Sequence, residues 1–193
     1  MSRRKMITRD QILNTTYALV RQEGFAKVTA RNVAKRMKCS TQPIYLEFKN
    51  MGELKTEVYK KMETELGRWL HGKQGNGVSS DPVVSLCLGY VEFAVAEPLL
   101  FRSITMDEDG LNEEFKKFVI SEFKRAMGYS ARYDDVSPDN IEPLIGQIWI
   151  ITTGVASAMT SHLILLDKAK LAELFEWYII RFVSEEDFPN IFA

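Results

Sequence analysis

The run Ser40-Thr41-Gln42-Pro43-Ile44-Tyr45-Leu46-Glu47-Phe48-Lys49 opens on small polar residues and closes on aliphatic and aromatic ones, and its reading decides the fold. It is too short, and too polar at its front, for a core helix. Ser40 or Thr41 can cap a helix, and Pro43 is tolerated in the first turn because the N–H it lacks has no acceptor there to lose. Ile44 and Phe48, four residues apart, then share one face and point inward. Tyr45 and Lys49, also four apart, flank the opposite edge, which the small polar residues at the front lead into.

The residues before this run read as two further helices. The first starts at the cap Thr8, with Gln11 placed to reach back, and stops at Gly24. Its inward face carries Ile12, Thr16, Leu19 and Val20. The second starts at the cap Thr29 and turns Val33, Ala34 and Met37 inward, ending in the turn Lys38-Cys39-Ser40. A fourth helix begins at Asn50 with Glu53 and runs towards Leu70. After the glycine-rich connector at 71–80, Asp81-Pro82 restarts a helix towards Ala96. Further helices are expected over 98–106, 111–128, 137–166 and 170–184. Apolar residues recur at a helical period almost everywhere, so the expected class is all-α.

Charge is divided unevenly along the 193 residues. Residues 1–60 hold 13 Lys and Arg against 5 Asp and Glu, a balance of +8, whereas the rest hold 12 against 21, a balance of -9. A cationic front and an acidic back fit a first module that meets phosphate and a remainder that does not. The stretch Leu144 to Leu166 has no charged residue, but its Gln, Thr, Ser and His content predicts a buried helix of a soluble protein, not a membrane span. Cys39 and Cys87 are expected as buried free thiols, and the basic start is not followed by the apolar run of a signal peptide, so a cytoplasmic location is expected. Metal-ligand spacing, a phosphate-cradling glycine loop and a nucleophile motif are all missing, so neither catalysis nor a cofactor is expected.

A short helix, a turn, and a second helix that opens on small polar residues form the layout of a helix-turn-helix, which enters the major groove of double-stranded DNA by that opening end. Thr41, Gln42 and Pro43 have the chemistry of base readers: the Gln amide suits adenine, and the apolar carbons of Thr and Pro suit a thymine methyl. Phosphate contacts are expected from Thr29, Arg31, Ser40, Tyr45 and Lys49. The Arg3-Arg4-Lys5 arm either follows a groove or stays disordered. Lys27, Lys35 and Arg36 add to the positive field.

Residues 8–54 resemble the DNA-binding module of the TetR family of bacterial regulators through Ile12-Leu13, Gly24-Phe25, Thr29, Val33-Ala34, Ser40, Ile44-Tyr45, Phe48 and Leu54. The resemblance implies a DNA-binding domain over 1–54 and a helical effector-binding and dimerisation domain over 55–193. It also implies a homodimer and a small-molecule effector. Three positions depart from the pattern. Lys38 stands where Gly is usual in the turn, Met51 where Lys commonly meets a phosphate, and Thr16 where Ala is customary.

For an effector pocket the candidates are Trp69, Phe93, Phe101, Met106, Phe118, Met127, Trp149 and His162. For the dimer interface they are the small residues Gly154, Ser157, Ala158 and Ser161, which allow close helix approach, and the stripe Leu171, Leu174, Phe175, Tyr178 and Phe182. The expected function is a repressor released from a palindromic operator by an apolar or aromatic effector. The alternative is a DNA-binding co-regulator whose acidic domain docks a protein.

Overall fold

The computed structural model describes residues 7–72, 78–105 and 112–184, and these residues are all-α: they form nine α-helices and two single 3-10 turns, with no strand. Helix α1 (Arg9–Glu23) begins in the expected reciprocal cap. The Thr8 hydroxyl accepts from the Gln11 N–H at 3.3 Å, and the Gln11 amide oxygen accepts from the Thr8 N–H at 3.2 Å. It ends because Gly24 adopts φ 86°, a backbone angle that a side chain would strain, while its N–H still bonds to the Val20 carbonyl. Thr16 is fully buried on this helix, and its hydroxyl donates to the Ile12 carbonyl at 2.8 Å. The buried hydroxyl is thereby satisfied.

Helix α2 (Ala30–Met37) is capped by Thr29, whose hydroxyl accepts from the Asn32 N–H at 3.2 Å. Just past its end, Lys38 takes the left-handed angles φ 53°, ψ 45° that glycine would take without cost. Helix α3 (Gln42–Glu47) follows, with Thr41 at its cap position, and then α4 (Met51–Leu70), where the Asn50 side chain accepts from the Glu53 N–H at 2.9 Å. The remaining helices are α5 (Pro82–Ala96), α6 (Pro98–Thr105), α7 (Asn112–Met127), α8 (Pro138–Thr160) and α9 (Lys168–Val183).

These elements divide into two units. The first comprises Met1–Glu65 with Leu99–Leu111, and the second Leu66–Pro98 with Asn112–Ala193. The first is thus larger than residues 1–54, and it takes in α6, whose Ser103 hydroxyl accepts from the Phe25 N–H at 3.2 Å. Its core is built from Ile12, Leu19, Val20, Phe25, Val33, Ile44, Phe48 and Leu54, all buried.

The second unit is organised around α5, which buries ten of its fifteen residues and packs against α7, α8 and α9. Asp81 caps it by accepting from the Val83 N–H at 2.8 Å and the Val84 N–H at 3.2 Å. This buried carboxylate also meets the Tyr133 hydroxyl at 3.1 Å and Arg132 at 2.8 Å, and Arg132 reaches Glu176 of α9 at 2.8 Å. Burial, with Asp81 beside it, holds the Tyr133 phenol well above its ordinary range, so it remains a donor. Gly89 lets α5 touch the end of α4: a Cβ there would lie 2.8 Å from the Trp69 carbonyl oxygen. Cys87 is buried beside Thr152, and burial pushes its thiol up to about 12, whereas Cys39 is only half-buried.

Helix α8 ends at Thr160, six residues before the uncharged stretch does. The His162 and Leu163 N–H groups bond back to the Met159 and Ala158 carbonyls at 3.1 and 2.9 Å, with His162 at φ 57°, which closes the helix in a Schellman-type turn. It is the one described single helix long and apolar enough to cross a membrane, and it packs on α5 and α9.

Candidate functional site

Helix α3 has only six residues, too few to be stable alone, so its position depends on anchors. Ile44 and Phe48 supply the apolar ones, being 0% and 1% exposed. Arg9 supplies the polar ones. Its guanidinium lies 4.0 Å over the Phe48 ring, donates to the Glu47 carbonyl at 2.5 Å and donates to the Glu53 carboxylate at 2.7 Å. The other Glu53 oxygen accepts from the Lys49 N–H at 2.6 Å. The Arg9 bond, reinforced by the Lys49 N–H, holds the Glu53 carboxyl below its usual range. Arg9 and Glu53 thus clamp the α3–α4 corner. Sequence reading had assigned Glu53 to a helix start and had no role for Arg9, 44 residues away.

With one face anchored, the other is open. Ser40, Thr41, Gln42 and Lys49 are exposed, Pro43 is half-buried, and Tyr45 is 52% exposed. The large apolar side chain most exposed on the edge is one that sequence reading passed over: Leu46, at 76%. Leu46 lies two residues beyond Ile44, about 200° around the helix, and Gln42 lies one turn before it. The outward ridge is therefore Gln42 and Leu46, with Tyr45 and Pro43 on its flanks, whereas Lys49, expected one turn after Tyr45, lies past the end of the helix because Phe48 is already extended. An apolar side chain so placed can meet a thymine methyl, as an amide beside it can meet adenine.

Cationic groups are exposed on the segments that precede and follow this helix. Thr29 and Arg31 are exposed at the start of α2, and Arg31, Lys35, Lys38 and Lys49 carry no ion pair among the described residues. Arg36 differs from them, since it pairs with Glu23 at 3.2 Å and also reaches Gln22. Met51 is half-buried. The arm Arg3-Arg4-Lys5 lies outside the described residues.

The pocket candidates fall into separate places. Trp149 lies 4.6 Å from Tyr90 with the rings tilted by 53° and meets Phe115 and Phe123 edge-on at 5.7 and 6.3 Å; Phe118 and Phe93 join through Phe115 and Tyr90, and Trp69 joins through Phe93. Tyr90, Phe93, Phe115 and Phe123 of this cluster are buried, whereas Trp69, Phe118 and Trp149 are half-buried. Met127 is buried at a different cleft, beside Tyr133 and Ile141. Phe101 belongs to the first unit. His162 is exposed in the turn after α8, and Met106 lies outside the described residues.

The interface candidates also separate. Gly154, Ser157 and Ser161 are exposed on α8, with open space around Gly154, and Ala158 is half-buried. Leu171 and Phe175 are buried within the chain itself, while Leu174, Tyr178 and Phe182 are half-buried. The large apolar groups that α9 leaves in the open are Trp177 and Ile180, at 51% and 53%, and α8 adds Ile150. Arg181 covers one face of the Trp177 ring at 4.1 Å.

No protein-family model matches this chain, and no curated protein matches it in sequence.

Proposed function

We propose that this chain is a homodimeric, DNA-binding transcriptional regulator of the TetR type, acting in the cytoplasm, most simply a repressor that a small apolar or aromatic effector releases from a palindromic operator. The observation that carries this reading is the α3 ridge. A six-residue helix is clamped from behind by Arg9, Glu53, Ile44 and Phe48, and it presents Gln42 and Leu46 outward, while Arg31, Lys35, Lys38 and Lys49 of the same unit are exposed and carry no ion pair among the described residues. A helix anchored on one side and polar-apolar on the other, in a positive field, suits base edges flanked by phosphates. The exposed apolar groups of α8 and α9 support a second copy as the partner, because patches of this kind on a lone chain ordinarily mark an interface. Two copies would then read half-sites about one helical turn, ~34–36 Å, apart.

The test is binding to the DNA upstream of its own coding sequence, followed by fluorescence anisotropy over a salt series and compared with random duplex. Affinity should exceed that for random duplex by about 10³-fold or more and fall steeply with salt. Equal, salt-insensitive affinity for both duplexes would sink the reading. The co-regulator alternative finds support in Leu163 and Leu165, which stand well exposed in the turn after α8. In that case small molecules would leave the DNA affinity unchanged.

A further inference from the structure

Of the aromatic residues that suggest a pocket, Phe93, Phe118 and Trp149 pack into the ring cluster, while Trp69 also lines an open cleft of the second unit. About 340 Å³ in volume, it lies between α5 and the α8–α9 connection and is walled by Trp69, Leu88, Val91, Val95, Met159 and Leu171. That volume lies in the range of small-molecule sites. Its walls are rigidly based. Leu166 at the rim donates its N–H to the Met159 sulfur at 3.4 Å, Asp167 caps α9, and the contact of Gly89 with the Trp69 backbone fixes the wall that α4 supplies.

Two charged side chains line this apolar space, and they pair with each other: Lys168 Nζ lies 2.9 Å from Glu92 Oε1. The pair is unequal. Lys168 stands on a long flexible stem at the start of α9 and can turn into water, where an ammonium is fully solvated. Glu92 is held on the central helix, and its second oxygen, Oε2, is shut off from water with no hydrogen-bond donor among the described residues. A carboxylate with one oxygen unsatisfied in an apolar wall is short of donors.

We infer that this cleft binds a lipophilic amine, with the apolar body against Trp69, Leu88 and Val91 and the ammonium on Glu92 in place of Lys168. Both ammonium groups carry three N–H donors, so the exchange on Oε1 is even, and the gain comes from the apolar body that fills the cleft. The displaced lysine needs no new partner, because water receives it. The charge in the cleft is conserved by the exchange, since one ammonium leaves as another arrives. A carboxylate ligand could pair only by drawing Lys168 off Glu92, which would leave Glu92 without its cation beside a second negative charge. As the identity of the effector, this inference rests on the regulator reading above; as a binding site it does not.

The experiment titrates the full chain with phenylbutylamine, phenylbutanol and phenylbutyrate by isothermal calorimetry, with and without operator DNA. The amine should bind at least about tenfold more tightly than the alcohol, and the acid should not bind measurably. Glu92→Gln keeps the shape of the side chain and should weaken the amine about tenfold or more. Lys168→Met removes the competitor and should tighten it several-fold, a change of opposite sign that mere damage to the fold would not produce. Equal binding of amine and alcohol, or loss of amine affinity in both variants, overturns the proposal. So does no binding at all, even if the protein grips its operator normally. Amine binding that leaves DNA affinity unchanged keeps the site and removes only its role as effector site.

Discussion

Replacing Gly89 by Ala sets two opposing effects against each other, and the geometry decides between them. In an ordinary helix interior the change is favourable, because Ala exceeds Gly in helix propensity by about 1 kcal/mol. At Gly89 the new methyl would sit 2.8 Å from the Trp69 carbonyl oxygen and 3.2 Å from the Leu70 Cα. Both are backbone atoms of α4, so relief requires one helix to move from the other. Overpacking of this kind costs about 1–3 kcal/mol, and the rigid neighbours put it in the upper part of that range. The net expectation is a loss of about 1–2 kcal/mol. For a chain of this size that lowers the melting temperature by about 3–6 °C. Gly67 is the control, because it lies inside α4 with nothing within 4 Å of where its Cβ would be. Gly67→Ala should stabilise by about 0.5–1 kcal/mol. All three tryptophans, at 69, 149 and 177, lie in the second unit, so urea unfolding followed by tryptophan fluorescence reports the unit concerned. A shift of midpoint at constant slope is the expected signature for both variants, with opposite sign. A Gly89→Ala protein as stable as wild type or more so would refute the close approach of α4 and α5, and with it the placement of the Trp69 wall.

Four other outcomes follow from the same structure. Gln42→Ala should lose about 1–3 kcal/mol of operator binding and relax preference at one base pair, whereas Lys49→Ala should weaken operator and random DNA alike and reduce the salt slope by about one; selection of bound fragments from random DNA separates the two patterns. Lys38→Gly should stabilise the first unit by about 0.5–1 kcal/mol, since a left-handed angle costs a side chain ~1–2 kcal/mol and glycine returns part of that gain to the unfolded chain; thermal melts that show a loss would mean the Lys38 side chain holds something there. The Glu53 carboxyl is depressed in the fold below its ordinary 4.5, so the stability it adds is fully present above that pH and is lost as pH falls through its lower folded value; carbon NMR of the Glu53 carboxyl should show the shift and Arg9→Met should abolish most of it. Trp177→Glu with Ile180→Glu should yield monomers in sedimentation velocity, and an unchanged sedimentation coefficient would remove α9 from the interface.

What could be read from the residues alone was local. Thr8 with Gln11, Thr29, Asn50 with Glu53, and Asp81 with Pro82 each mark a helix start, because the cap and its target lie within four residues and the hydrogen bond needs no tertiary partner. The end of α8 could not be read, because the residue that turns it is His162, where glycine would have been the visible signal. Which apolar helix is central was equally hidden: α5 and the uncharged stretch around α8 look alike in composition, and only long-range packing leaves α5 enclosed while Ile150 and Gly154 stand open.

The candidate sites show the same divide. The exposed front of α3 was legible, since Ile44 and Phe48 set the phase of a short helix and the polar residues must then face out. Leu46 was missed for the same reason that it matters: an aliphatic side chain is assumed to be core unless the phase of the helix is followed through to the opposite side. In α9 that phase is ambiguous, because Leu171, Phe175, Tyr178 and Phe182 form one stripe and Trp177 and Ile180 another, and the neighbouring helices decide which is buried. The aromatic residues misled in the other direction. Large flat side chains satisfy one another, as Trp149 does with Tyr90, Phe115 and Phe123, and space is left where smaller side chains meet at a helix end, as Leu88, Val91, Ala96 and Met159 do. A cavity is a shortfall of volume, and the residues beside it need carry no distinguishing chemistry. In this chain the pair Glu92 and Lys168, 28% and 32% exposed, lines the cleft beside Trp69, and two charges so far apart in the chain could not be matched to each other from the residues alone.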